Sequence, residues 1–198
     1  MAMLDWMLDA DPAIRWQALR DLTRAPADVI ATERARVATE GWGARLLARR
    51  GEDGQWAGGA YFPADARADE QPDGSQPWTA TTYSLLLLRD FGVDPADDRV
   101  REAIARVRAN CRWQADDLPF FAGEVEPCIN GMTMSLGAYF GEPVDDVVTR
   151  LLGEQLADGG WNCRDPLPAR GRRRPAQPVE HAARAAGPQL VRAVGELT

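Results

Sequence analysis

The feature that most constrains the fold is a recurrence: LLARRGEDGQW at 46–56 returns as LLGEQLADGGW at 151–161. With the preceding arginine included, the two segments share six of twelve positions without a gap: Arg, Leu, Leu, Asp, Gly and Trp. Internal similarity of this kind is typical of repeat proteins, in which each unit buries its apolar face against its neighbours. The sequence therefore predicts a repeat architecture.

A weaker third copy ends at Trp113. Residues 97–113 align with residues 145–161 at a constant offset of 48, and both segments begin with Asp-Asp and end with Trp. Two other segments, residues 79–91 (TATTYSLLLLRDF) and 128–140 (CINGMTMSLGAYF), are apolar almost all round. A helix without a polar face is normally enclosed, so we expect both helices to be buried on every side.

A second kind of helix is predicted before Trp113. Its apolar side chains recur at i, i+3, i+4, i+7 and i+11, whereas charged side chains cover the other side. The apolar positions are Val100, Ala103, Ile104, Val107 and Cys111. An enclosed helix paired with a half-exposed one about every 50 residues predicts an all-α fold with two concentric layers of helices.

The recurring Asp-Gly-x-Trp has a physical interpretation as the joint between units. Glycine supplies the positive φ that reverses the chain after a helix. The tryptophan then covers the joint with a large apolar ring, while its indole N–H needs a polar partner. We expect Trp56, Trp113 and Trp161 to hold the stack together.

Three regions follow along the chain. Residues 1–40 read as a helical lead-in, with Asp11 as N-cap before a proline and a second helix opened by Pro26. The lead-in's first apolar face is predicted to carry Ile14, Ala18, Leu19 and Leu22. Residues 41–163 hold the repeats, and residues 164–198 are an Arg-, Pro- and Ala-rich segment whose composition predicts a disordered basic tail.

Composition excludes several classes. A net charge of −7 argues against general nucleic-acid or anionic-membrane binding. No apolar run is long enough to span a bilayer, and no secretory signal is visible at the start. Three cysteines without C-x-x-C spacing argue against a disulfide framework, so we expect a cytoplasmic protein.

The segments GEDGQW and EQLADGGW resemble the Gln-Trp repeats of the terpenoid cyclase and protein prenyltransferase superfamily, which includes squalene–hopene cyclases. Gln155, Gly160 and Trp161 stand where that motif expects them, whereas Arg50 replaces the glutamine of the first copy. The resemblance covers residues 41–163. It implies an α/α toroid, here a helical-hairpin repeat arc that forms an incomplete ring, and an isoprenoid or other apolar ligand in a cavity lined by inner helices.

The catalytic groups of that superfamily are not matched. No Asp-x-Asp-Asp acid is present, and the aspartates of 94–98 and 143–146 lie at helix starts, where capping explains them. The single histidine, His181, lies in the tail, so no zinc-ligand set is expected. Cys111 is expected to be a small core residue. We therefore expect no metal and no cofactor.

The best catalytic candidates are Glu124 and Glu126, which precede the helix predicted over 128–140. Carboxylates beside aromatic surface can serve as general acid or base, but they can equally stabilise the N-terminus of that helix. Six side chains form a candidate ligand pocket or simply fill the core: Trp78, Tyr83, Phe120, Phe121, Cys128 and Asn130.

Three functional hypotheses follow. The chain is an enzyme acting on an isoprenoid, a non-catalytic repeat protein that binds an apolar ligand or a protein partner, or a truncated, inactive piece of a longer toroid protein. The abrupt change of composition after Cys163, which resembles a shifted reading frame, favours the third. An uncapped repeat end would then favour self-association.

Overall fold

The computed structural model describes residues 3–65, 78–114, 117–124 and 126–162, and within these ranges the chain is all-α and has no β-strand. This confirms the predicted fold class. The α-helices of these ranges are α1 (Met3–Leu8), α2 (Pro12–Leu22), α3 (Ala27–Ala35), α4 (Gly41–Ala48), α5 (Thr81–Phe91), α6 (Asp98–Asn110), α7 (Pro127–Phe140) and α8 (Asp145–Glu154).

The chain divides into two compact units, residues 1–111 and residues 112–198. The division falls inside the region predicted to hold the repeats, whose boundaries stay a prediction. The tail of 164–198 and its His181 lie outside the described residues. No helix of the described part is long and apolar enough to cross a membrane.

Asp11 caps α2 as predicted and also links α2 to α4. One carboxylate oxygen accepts a hydrogen bond from the Ala13 backbone N–H at 3.0 Å, and the other accepts one from the Trp42 N–H at 2.8 Å. The helix after Pro26 ends at Ala35, and a 3₁₀ turn, Arg36–Ala38, leads into α4. A single carboxylate thus fixes two helix starts.

The predicted apolar face of α2 was partly wrong. Leu22 is 57% exposed, and the large side chain that α2 buries is Trp16. The Trp16 indole donates to the Phe91 carbonyl oxygen at 2.8 Å, at the end of α5. Gly92 follows with φ +80°, and a Cβ there would overlap the Trp16 ring. Glycine is required at this position both for its conformation and for the close approach.

The prediction that α5 is enclosed on every side was wrong. Leu85 and Leu88 are buried, but Leu87 is 45% exposed. Consecutive leucines point about 100° apart around a helix, so a run of four cannot face one neighbour. The packed face of α5 continues through Thr81 and Thr82, which are fully buried.

The amphipathic prediction for α6 is confirmed. Its predicted apolar positions are all buried, and its arginines are exposed. Asp97 caps the helix by accepting from the Arg99 N–H at 2.8 Å, as predicted for the aspartates of 94–98. Cys111, directly after the helix, is fully buried in the core of its unit, also as predicted.

The second unit packs α7 and α8 around a small aromatic core. Leu136 and Val147 are buried, and Trp113 stacks on Phe120 with ring centroids 4.8 Å apart. The enclosure predicted for α7 holds only in part, because Cys128 and Ala138 are exposed. Asp145 and Asp146 lie in the first turn of α8 and favour its N-terminus electrostatically, but neither side chain caps it, as the N-cap makes no side-chain hydrogen bond.

Candidate functional site

The first Asp-Gly-x-Trp segment forms a compact turn after α4. The Asp53 carboxylate accepts from the Gln55 N–H at 2.9 Å, and the Gly51 N–H donates to the Gln55 carbonyl at 2.8 Å. Gly54 has φ +92°. The Trp56 indole closes the turn by donating to the Leu46 carbonyl oxygen at 2.7 Å. We call residues 46–56, which are the end of α4 and the turn that follows it, the first turn.

Residues 151–161, the second turn, repeat these bonds one for one. The Asp158 carboxylate accepts from the Gly160 N–H at 3.0 Å, and the Leu156 N–H donates to the Gly160 carbonyl at 2.9 Å. Gly159 has φ +82°. The Trp161 indole donates to the Leu151 carbonyl oxygen at 2.7 Å. The positive φ predicted for the glycine and the polar partner predicted for the indole N–H are therefore confirmed at both turns, whereas the stacking of units stays a prediction.

The weaker third copy, at Trp113, does not form this turn. The Trp113 indole donates forward to the Phe120 carbonyl oxygen at 2.8 Å, whereas the other two indoles bond back to the preceding helix. The reason is the length of α6. This helix ends at Asn110, three residues before the tryptophan, whereas α4 ends at Ala48, eight residues before Trp56. No residues remain for the glycine turn.

Glu124 lies at a buried joint between the loop and α7. Its backbone N–H donates to the Asn130 side-chain oxygen, and its carbonyl oxygen accepts from the Asn130 side-chain nitrogen, both at 2.7 Å. Arg150 of α8 donates to the same carbonyl at 2.7 Å. Glu124 is 7% exposed and Asn130 is fully buried. Asn130 therefore holds the loop on the helix by a reciprocal amide pair.

The two candidate carboxylates are engaged in a chain of contacts. One oxygen of Glu124 accepts from the Glu126 backbone N–H at 2.7 Å, directly before α7. One oxygen of Glu126 accepts from the exposed Cys128 thiol at 3.5 Å. The structure thus brings Glu124, Glu126, Cys128 and Asn130 together. Their assignment as catalytic or pocket residues stays a prediction.

The remaining predicted pocket residues fall into two groups. Trp78 and Tyr83 contact each other in the first unit, with ring centroids 4.7 Å apart. Phe120 and Phe121 contact each other in the second unit at 5.1 Å, and both are buried.

Sequence reasoning missed two further aromatic residues of the first unit. Tyr61 lies 5.3 Å from Tyr83, and Phe62 lies 5.1 Å from Tyr61, measured between ring centroids. Trp78 is 54% exposed and Phe62 is 47% exposed. We call Tyr61, Phe62, Trp78 and Tyr83 the aromatic cluster. The adjacent Tyr-Phe pair shortly after Trp56 was the available signal.

Hydrogen bonds from two threonine hydroxyls to backbone carbonyl oxygens hold the segments that carry the aromatic cluster. Thr81 and Thr82, at the start of α5, donate side-chain hydroxyls to the carbonyl oxygens of Gly59 and Ala60 at 2.7 and 2.9 Å. The Thr81 hydroxyl also accepts from the Trp56 N–H at 3.2 Å. The first turn, the loop after it and α5 are therefore one connected structure.

Among the described residues, no group of three or more His, Cys, Asp or Glu side chains is placed to hold a metal ion. Comparisons of the chain with protein-family models, curated proteins and solved structures returned no match.

Proposed function

We propose that the chain is a terpenoid cyclase- or prenyltransferase-like α/α repeat protein and that it binds an isoprenoid or another apolar ligand without transforming it. The observation that carries the proposal is the aromatic cluster. Four rings follow one another in contact, Phe62, Tyr61, Tyr83 and Trp78, with centroid separations of 5.1, 5.3 and 4.7 Å. The two end rings are about half exposed to solvent.

Such a surface suits an elongated apolar molecule. Covering it removes apolar area from water, at about 25 cal/mol for each Å². Aromatic rings also offer rigid contact area at little cost in conformational entropy.

The backbone at Trp78 supports a binding role. Its φ is +54°, a left-handed conformation that a bulky residue rarely adopts and that costs about 1–3 kcal/mol. The contact with Tyr83 offsets part of that cost, yet the ring stays 54% exposed. A strained backbone conformation at an exposed indole points to a functional contact, here with a ligand.

The repeat classification is supported by the two turns. Each follows a helix, contains a glycine at positive φ and is closed by an indole hydrogen bond of 2.7 Å. Joints rebuilt in the same way along one chain are what a stack of helical units needs.

A catalytic role is less well supported than binding. One oxygen of the Glu124 carboxylate already holds the Glu126 N–H at 2.7 Å, which is a structural use. The Glu126 carboxylate faces the Cys128 thiol at 3.5 Å and remains the better candidate for proton transfer. Replacing each glutamate by glutamine separates the hypotheses, because only catalysis requires the proton.

Native mass spectrometry of the full chain with squalene and with farnesyl diphosphate tests the proposal. We expect a complex that retains unaltered ligand, and an affinity at least tenfold lower, equivalent to about 1.4 kcal/mol, in Trp78→Ala or Tyr83→Ala. Trp6→Ala is the matched control, because Trp6 is a 64% exposed tryptophan in α1, outside the cluster.

Three outcomes contradict the proposal. No retained ligand, or equal losses in Trp78→Ala and Trp6→Ala, would remove the aromatic cluster as a binding site. A ligand of altered mass whose formation stops in Glu126→Gln would instead establish catalysis.

A further inference from the structure

Helix α6 covers one side of the first turn through two specific donors. The Arg106 guanidinium donates to the Glu52 carbonyl oxygen at 2.6 Å, and the Asn110 side chain donates to the Asp53 carbonyl oxygen at 2.8 Å. The contact is close, since a Cβ at Gly54 would overlap the Cβ of Arg106. An arginine and an asparagine four residues apart on one helix face therefore donate hydrogen bonds to two consecutive backbone carbonyl oxygens.

The apolar side chains of the first turn are buried as well. Leu47 is 7% exposed and Trp56 is 2% exposed. A salt bridge at the edge, between Arg50 and Glu102 of α6 at 3.7 Å, adds a polar contact. The first turn thus has a buried apolar centre, and α6 packs on it through hydrogen bonds to two carbonyl oxygens.

The corresponding side of the second turn is open. Leu152, which aligns with Leu47, is 58% exposed, and the neighbouring Leu156 is 40% exposed. A Cβ at Gly159 would meet no atom within 4 Å. The carbonyl oxygens of Ala157 and Asp158 align with those of Glu52 and Asp53, which accept hydrogen bonds from α6. They accept no hydrogen bond from the described residues.

We propose that this open face binds an amphipathic helix of a protein partner that presents an arginine and, four residues later, an asparagine or glutamine. We define the open face as Leu152, Leu156 and Gly159 with the carbonyl groups of residues 157 and 158. The first turn of the same chain shows what fits, because the two turns share the aspartate side-chain bond, the backbone bond across the turn and the indole bond.

Electrostatics agree with a basic helix. Asp158 lies in the turn and is exposed, so the open face carries an acidic side chain. Complementary charge favours encounter with an arginine-bearing partner and disfavours an acidic one. The open leucines supply the apolar contact that such a helix covers.

This surface is distinct from the aromatic cluster and involves other residues, so the two proposals fail independently. A peptide of residues 96–112, which carries the α6 pattern, is the probe. Titrated into the full ¹⁵N-labelled chain, it should shift the amide signals of residues 151–161 and the Trp161 indole signal. A peptide with both R106A and N110A should bind at least tenfold more weakly, whereas a peptide with Arg101→Ala, on the solvent side of α6, should bind like the parent.

Variants of the full chain test whether the peptide binds at the open face. Leu152→Asp should abolish the shifts, and Leu87→Asp, which alters a 45% exposed leucine of the other unit, should leave them intact. Both sites are exposed on helices, so both variants should fold, as circular dichroism will verify.

Four results would overturn the proposal: no shift in residues 151–161, equal binding of the doubly substituted peptide, shifts of the same residues on removal of 164–198, or concentration-dependent dimerisation abolished by Leu152→Asp. The third would assign the face to this chain's own tail, and the fourth to a second copy.

Discussion

The two Asp-Gly-x-Trp turns have the same internal structure and different surroundings. Each is closed by an indole hydrogen bond of 2.7 Å to the carbonyl oxygen ten residues earlier, and each has a glycine at positive φ. Yet Trp56 is 2% exposed, whereas Trp161 is only half-buried, and the aligned leucines are 7% and 58% exposed. The turn is a property of a short sequence, whereas its burial depends on the rest of its unit.

This difference separates two sources of stability. Within a turn, the hydrogen bonds that both copies make and the glycine conformation contribute at both places. The covering helix contributes only at the first turn, through the hydrogen bonds of Arg106 and Asn110 and its close contact with Gly54. Paired substitutions at aligned positions therefore measure the cover directly, since the local effect is common to both members of a pair.

The largest difference is expected for the two tryptophans. Trp56→Ala removes a buried ring and should lower the free energy of unfolding of its unit by about 3–5 kcal/mol. Trp161→Ala should cost about half as much, because its ring already meets solvent. Urea titration followed by circular dichroism measures both, with Trp6→Ala as an exposed control. Equal losses at both turns would contradict the difference in burial.

The glycines should show the next largest difference. Both Gly54→Ala and Gly159→Ala force a side chain into a positive-φ conformation, at about 1 kcal/mol. Gly54→Ala also drives a Cβ into Arg106, which adds about 1–3 kcal/mol by overpacking. The same titrations should therefore rank Gly54→Ala well above Gly159→Ala. The reverse order would mean that α6 does not lie on the first turn.

Removing a hydrogen-bond donor of α6 should have a moderate effect on stability that is confined to the first turn. Arg106→Met keeps apolar length and removes the hydrogen bond to the Glu52 carbonyl, at about 1 kcal/mol. Amide hydrogen exchange in residues 51–56 should become faster, while exchange in residues 156–161 stays unchanged. Arg101→Met is the control on the solvent side of α6. Faster exchange at both turns would show a general loss of stability instead.

The smallest and most uniform effect is expected for the aspartates. Asp53→Ala and Asp158→Ala each remove one hydrogen bond to a turn N–H, and each should cost about 0.5–1 kcal/mol. The two losses should agree within experimental error, because this bond lies inside the turn. A clear inequality would show that cover and turn are coupled.

Sequence reasoning succeeded where residues within a short segment determine the local structure. The cap at Asp11, the amphipathic face of α6 and the roles of Gly54 and Trp56 each follow from side chains a few residues apart. The two turns were found as one motif because identical residues make identical local bonds.

It failed where the outcome depends on distant partners. The run from Leu85 to Leu88 reads as an enclosed helix, but which leucine is buried depends on the side from which neighbours pack. Trp16 was missed because its partner, the Phe91 carbonyl, lies 75 residues away. At Trp113 the composition matched, but the extension of α6 left too few residues for the turn.

The candidate site shows the same limit. Glu124 and Asn130 are six residues apart and could be placed together from the sequence, but their reciprocal amide pair appears only once the loop folds onto α7. Phe62 and Trp78 belong to one cluster because the Thr81 and Thr82 hydroxyls hold the start of α5 on the Gly59 and Ala60 carbonyl oxygens. Local patterns therefore identified chemically interesting segments without their tertiary contacts.

The most direct test of the central claim is hydrogen exchange of the tryptophan indole N–H groups in the full chain, assigned with single Trp→Phe variants. If the turns share one hydrogen-bonded structure and differ in cover, the Trp56 indole exchanges slowest of the three compared, the Trp161 indole at an intermediate rate and the exposed Trp6 indole fastest. A Trp161 indole that exchanges as fast as that of Trp6 would contradict the shared turn, and equal protection of Trp56 and Trp161 would contradict the difference in cover.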